Sequence, residues 1–501
     1  MPLQALAAVT TLLAFSPHGN RIDLRLDHGA AELVWVTPST FRFRRALDGP
    51  LPAVAWEDRA PVVFQTDEEP GLLRLRSKFL EVAIQKRGLL VRVRRLDGTP
   101  LMTDLSEPAA LRTPSGGVAW ERQMPAEARF YGLGPRTDSE FDVRGKALAT
   151  EVPFLVSTTG YGEYHASRGA YRFDFTAADR YRIEAPGIDY FFYHGPAIKQ
   201  IFEEHKGAPA AATTWTAAGE TAASWSGLHS TLLRLVHGAM SAALGPSLSL
   251  APYAAAPPEL ASRARQLGSL VDDVSPGPVG LSDFRRQLES FYATYAAEAE
   301  TRGFPLWHAL PFQFPDDPEC ARHADEFMLG DEMLVAPIYA PGNRRTVYLP
   351  QGIWTNLDTN ETLPGRRSIA VETSGLPVFV RNGMILPLDF TGGIALHYFP
   401  TLAAEFFLLE SDPADWTQVH AAPAADIMRL EIEGKKTRDY QWVVHHVERP
   451  SEVGFEDREY RQVMSAGALA DRTWFYDAAR RNLHVQVRVA AGEDCIVNLS
   501  Y

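Results

Sequence analysis

The sequence predicts a mainly β protein with a small α-helical middle. Residues 8 to 205 alternate apolar and polar side chains, the pattern of half-buried strands. An Ala/Thr/Ser-rich stretch at 208–228 leads into three helical stripes that end at Gly303. From 305 to Tyr501 the pattern returns to short strands and turns.

Taken in order, the opening run "MPLQALAAVTTLLAFSPHG" is apolar but has no positive residue before it, so it reads as a first strand rather than a leader. "RIDLRL" puts Ile22, Leu24 and Leu26 on one face, and His28-Gly29 turns the chain into "AELVWV". "FLEVAIQKRGLLVRVRRLDG" reads as a hairpin in which Val82 and Ile84 answer Leu89, Val91 and Val93. Repeated, this pattern makes an antiparallel sandwich. The stretch 208–228 lacks periodicity and reads as a linker. The first helix is expected from an N-cap at Ser230 to Leu244, stopped by Gly245-Pro246, with Leu232, Leu235, Val236, Ala239, Met240 and Ala243 inward. The second carries Leu260, Ala264, Leu267 and Val271. The third starts near Ser282 and points Phe284, Leu288, Phe291, Tyr292, Tyr295 and Ala299 inward. Between the first two, only "PSLSLAP" has room for a strand.

Composition bounds the function. A chain of 501 residues predicts roughly two to four domains. A net charge of −13 and a pI near 5.6 argue against nucleic acid or an anionic membrane as a partner. No run approaches the roughly 18 apolar residues of a membrane span. Cys320 and Cys495 are the only cysteines, with no CxxC, which suits a reducing compartment and predicts a cytoplasmic protein.

Several segments together resemble glycoside hydrolase family 31, the family of α-glucosidases and α-xylosidases. "FYGLGPRTD" (130–138), "EVPFLVSTTGYGEYH" (151–165) and "GIDYFFYHGPAIKQIFEEHKG" (187–207) are similar to its N-terminal, galactose-mutarotase-like sandwich. "GFPLWHALPFQFPDDPE" (303–319), "DEFMLGDEMLVAPIYAPGNRRTVYLPQGIWTN" (325–356) and "LPVFVRNGMILPL" (376–388) resemble the end of its barrel and its proximal C-terminal sandwich. "TWFYDAARRNLHVQV" (473–487) resembles its last β-domain. The resemblance implies an N-terminal β-sandwich at 1–207, a truncated, mainly helical barrel remnant at 208–303, a proximal sandwich at 304–400 and a distal β-domain at 401–501.

The family's catalytic (β/α)8 barrel lies between those sandwiches, and such barrels take roughly 250 residues and rarely fewer than about 200. Gly303 lies only 96 residues (303 − 207) beyond Gly207. No segment there matches the W-x-D-x-N-E nucleophile motif of the family. Its acid/base Asp follows W-x-G; here "SWSGLHS" keeps Trp225, Ser226 and Gly227 and continues with Leu228, which has no proton to give. "LAPYAAA" stands in place of the late Asp-x-Gly-Gly and "VDDVS" in place of the late Arg-Asn-His. The resemblance therefore implies no catalytic residue.

Other chemistry is thin. Asp358-Thr359-Asn360-Glu361 imitates an acidic active-site segment, but its residue types suit a hairpin turn. Asp272-Asp273 are adjacent and diverge, so they read as a solvated helix end rather than a pair flanking one bond. His445-His446 lacks a metal-ligand spacing, and no metal or other cofactor is expected. Trp215, Trp225, Tyr253 and Trp307 are the candidate sugar-stacking aromatics, weighed against plain core packing. Three functions follow: a non-catalytic scaffold or regulatory partner, a carbohydrate-binding protein, and an α-glucosidase-like hydrolase with a rebuilt site. The apolar stripes of the helical middle also call for a cover, supplied by the chain itself, by a homodimer or by a heteromer with an active glycosidase.

Overall fold

In the computed structural model of the chain, the described residues are 9–54, 59–105, 110–208, 223–243, 247–271, 273–275, 283–410, 414–456 and 458–501. The chain divides into two compact units. One holds Met1–Thr214 with Met240–Ala243 and Arg302–Phe304; the other holds Trp215–Ala239, Leu244–Thr301 and Pro305–Tyr501.

The first unit is a sandwich of an eight-stranded and a ten-stranded sheet. "RIDLRL" forms the strand Arg21–Leu26 with Ile22, Leu24 and Leu26 buried. Leu80–Gln85 pairs antiparallel with Leu90–Arg95, Val82 opposite Val93 and Ile84 opposite Val91, so both members of each pair enter the core. That core draws Leu24, Trp35, Phe41 and Phe192 from the first sheet and Leu73, Val82, Trp120 and Phe173 from the second. One ion pair crosses it. Arg122, on the strand Val118–Gln123, donates through Nη1 to Glu163 on Tyr161–His165, and these strands lie in different sheets. Arg122 Nε also donates to Asp104 Oδ1 at 3.1 Å, and Glu163 Oε2 is 3.1 Å from His165 Nε2.

In the second unit the helical middle differs from the sequence expectation at the bounds of its first helix, at Asp273 and in its last stripe. Helix α1, Trp225–Ala239, begins ahead of Ser230. Ser224 is its cap: the Ser224 hydroxyl accepts the Gly227 N–H at 2.9 Å, which satisfies a donor of the first turn. The helix thus starts inside the stretch expected to be a linker, and it ends before Ala242, whose φ of 62° breaks the helical path. Helix α2 is Pro258–Gly268, with Pro258 at its first position. The strand expected in "PSLSLAP" is Ser247–Ser249. A second strand, Asp273–Ser275, runs parallel to it, so Asp273 opens a strand and is not a helix end; Asp272 lies outside the described residues. Strand, helix and strand form a crossover of the parallel-sheet kind. The last stripe is broken into α3, Asp283–Gln287, and α4, Glu289–Arg302, while Ser282 lies outside the described residues. Leu232, Val236, Leu260, Leu267, Leu288 and Phe291 are all at most 3% exposed, so their burial is met within the single chain.

The rest of the second unit is β structure. One six-stranded sheet runs from Trp307–Ala309 to Thr362–Pro364, and two more follow it. Ile385–Phe390 and Gly393–Tyr398 join a sheet with Arg438–Val444, Asn482–Val489 and Thr473–Asp477. The whole is mainly β with few helices, as the alternation predicts.

Candidate functional site

Of the four nominated aromatics, three lie among the described residues. Trp215 lies outside the described residues. Trp225 is half-buried at the first position of α1, and Tyr253 is buried in the single turn Ala251–Ala255. Trp307 is 1% exposed. Phe327 stacks on it at 3.9 Å with the planes 6° apart, and its indole N–H donates to the Leu270 carbonyl at 3.1 Å. Tyr292 donates to that same carbonyl at 2.8 Å. The Trp307 ring is therefore a core tie.

Leu228, where the resemblance puts the acid/base, is also buried. Leu228 sits in the first turn of α1 and is 2% exposed. Several buried or half-buried carboxylates of this unit are engaged in structural bonds. Glu332 is buried and accepts from the Tyr295 hydroxyl at 2.7 Å; burial, reinforced by neighbouring Asp331, pushes it up to about 8. The same Tyr295 hydroxyl accepts the Asp331 N–H at 2.9 Å. Asp325 accepts from the Tyr339 hydroxyl at 2.6 Å and from Arg345 at 3.1 Å. Glu326, buried and held well above the usual carboxylate range by desolvation, accepts the Tyr348 N–H. Asp389 caps α4 through Ser290, accepting its N–H at 2.8 Å and its hydroxyl at 2.6 Å. Each of these acids holds a loop or a helix end.

The segment Asp358–Glu361 is the connection of a hairpin between Ile353–Asn356 and Thr362–Pro364. Asn356 Oδ1 accepts the N–H groups of Asp358 and Thr359 at 2.9 and 3.2 Å, and Asn360 adopts a φ of 59°. This is Asx-turn chemistry. The structure adds a feature that the sequence reading missed. Asp358 lines a cavity of about 340 Å³ together with Phe284, Thr373, Ser374, Gly375 and Leu376. Its carboxylate is exposed and has no partner among the described residues, and the Phe284 ring is half-buried. An aromatic face beside a free acceptor is a combination suited to a sugar ring. Nothing local marks it, because Phe284 and Asp358 are distant in sequence. His445 meets His397 at 3.0 Å and Asn360 at 3.2 Å, and no metal-ligating group of three is present among the described residues.

Comparison with known proteins places these features in a family. The model of the glycosyl hydrolase family 31 C-terminal domain matches residues 303–386. An α-glucosidase of Saccharolobus solfataricus is 33% identical over 129 residues, 24% of this chain and 18% of that protein. An isomaltosyltransferase of Sporosarcina globispora is 27% identical over 236 residues, 42% of this chain and 21% of that protein. The matches thus span about a fifth of the length of these curated relatives. Among solved structures, a Flavobacterium johnsoniae dextranase complexed with isomaltotriose superimposes with a TM-score of 0.80 at 14% identity, over 98% of this chain and 99% of that one. A cycloalternan-forming enzyme from Listeria monocytogenes does so with a TM-score of 0.82 at 13% identity, over 98% and 77%. The structural likeness speaks for the fold, the sequence matches for descent, and together they make this chain a relative of glycoside hydrolase family 31.

Proposed function

We propose that this chain is a non-catalytic relative of family 31, a pseudo-glycosidase that serves as a scaffold or regulatory partner of an active glycosidase. The observation that carries the reading is Leu228, buried in α1 directly after Trp225-Ser226-Gly227, where the resemblance implies an acid/base Asp. Its setting agrees. The described residues from 223 to 301 hold two parallel three-residue strands, four α-helices and one short helical turn, too little for eight strand–helix units. A retaining glycosidase needs two carboxyls about 5–5.5 Å apart on either side of one bond, whereas Glu332, Asp325, Glu326 and Asp389 are spent on hydroxyls and backbone N–H groups. Kinship of fold leaves the chemistry to the site. The test is turnover of aryl α-glucosides and isomaltotriose by the purified chain. The expected result is none above buffer; turnover abolished by replacing one specific carboxylate would sink the reading.

A second reading, carbohydrate binding, is favoured by the Phe284–Asp358 cavity and by the sugar complexes of structural neighbours. Titration with isomaltotriose, repeated on Phe284→Ala and Asp358→Asn, tests it. Saturable binding lost in both variants supports the cavity; its absence from the parent chain removes the reading.

A further inference from the structure

A larger cavity, of about 600 Å³, lies wholly within the N-terminal unit. That is within the range of about 300–1,000 Å³ typical of small-ligand sites. Its ionic lining is unusual for this chain. Five arginines, Arg42, Arg44, Arg45, Arg112 and Arg168, face two aspartates, Asp48 and Asp189. The wall is thus formally +3 (5 − 2) in a protein of net charge −13.

The ion pairs within reach leave part of that charge unanswered. Arg42 and Arg44 alternate along Thr40–Ala46 and so share one face. Arg42 places Nε and Nη2 on the two oxygens of Asp189, both at 2.7 Å, and Arg44 Nε lies 3.5 Å from the same carboxylate. Arg44 Nη1 also donates to buried Glu32 at 2.6 Å, which Arg21 shares at 2.9 Å. Three guanidiniums therefore divide two carboxylates. Arg112 takes Asp48. Arg45 donates to the Gly88 carbonyl at 3.3 Å and feels Asp104 and Asp27 through space, while its Nε finds no hydrogen-bond acceptor among the described residues although the residue is 6% exposed. Burial holds Arg45 down to about 10, still charged at neutral pH. Arg168 is exposed and has no ion-pair partner among the described residues. Cationic charge in a partly desolvated wall is stabilised by a counter-anion, and guanidinium forks match planar or tetrahedral oxyanions.

We propose that this arginine-lined cavity binds a small organic anion of monosaccharide to disaccharide size, carrying a carboxylate or phosphate group. It is separate from the hydrolase question and stands whether or not the chain has any turnover. Isothermal titration of the full chain with glucuronate, glucose 6-phosphate, inorganic phosphate and glucose tests it, on the parent and on Arg168→Glu. Arg168 is exposed, so its replacement leaves the fold intact, as a melting curve will check. The expected result is saturable binding of at least one anionic sugar, weakened roughly tenfold or more by Arg168→Glu and by raised salt. Three results would overturn it: no saturable binding of either anionic sugar at millimolar concentration, binding unchanged in Arg168→Glu, or inorganic phosphate or glucose binding as tightly as the anionic sugars.

Discussion

Glu332 makes a single carboxyl a reporter of pH. Its folded-state pKa is raised by burial to about 8, from the ordinary carboxylate value of 4.5 in the open chain. Between those values the unfolded chain is ionised while the folded one still holds the proton, so stability falls as pH rises through that window and levels off above it. Glu332→Gln keeps an acceptor for Tyr295 and removes the titration. The expectation is that the variant and its parent melt together near pH 5 and separate by pH 8, the parent being weaker by on the order of 2–3 kcal/mol. Parallel melting curves across that range would refute the assignment. At this scale the sequence was partly legible. Leu228 is readable in "SWSGL" because a leucine is no acid wherever it lies. The cavity role of Asp358 was not, since it depends on a Phe284 ring brought from another element.

Among elements, α4 packs on a turn that has no room for a side chain. Gly330 has a φ of 61°, and a Cβ there would lie 2.5 Å from Tyr295 and 2.6 Å from Phe291, two rings of that helix. Gly330→Ala should therefore cost about 2–3 kcal/mol by displacing the helix. A urea midpoint equal to the parent's would show that the rings give way freely. In the sandwich the ion pair between sheets supplies a ranking. Glu163→Ala leaves Arg122 one carboxylate, Asp104, and should cost about 3–5 kcal/mol. Arg122→Met leaves two buried acids without their cation and should cost more, which the order of the two urea midpoints checks. Element existence was well announced by periodicity, as in Leu80–Gln85. Edges were not. The start of α1 depends on whether Ser224 or Ser230 supplies the cap, and both are serines before a helical stripe. Asp273–Ser275 is too short to show any period and exists through its pairing with Ser247–Ser249.

For the whole molecule, the segments whose sequence resembles family 31 flank a stretch in which the sequence reading finds no match to the family's catalytic motifs. The strands of both units form sheets of the expected kind, while the middle holds one crossover. The molecule-scale expectation is chemical silence: addition of the full chain to aryl α-glucosides should leave hydrolysis at the buffer rate over hours, and Glu332→Gln and Asp358→Asn should not change that trace. A rate above buffer that either variant lowers would show that the acids bound in turns and loops had been misassigned. Fold class was legible from alternation alone. Whether the chain binds a ligand was not, because both cavities are assembled from side chains of separate strands and loops.

The pairing of Arg122 with Glu163 also restricts how this sequence can drift. Loss of Arg122 strands two buried acids and loss of Glu163 leaves Arg122 with Asp104 alone, so a lineage that exchanges one passes through a weakened ancestor or changes both together. Natural variants of this chain are accordingly expected to co-vary at 122 and 163, even where the neighbouring surface varies.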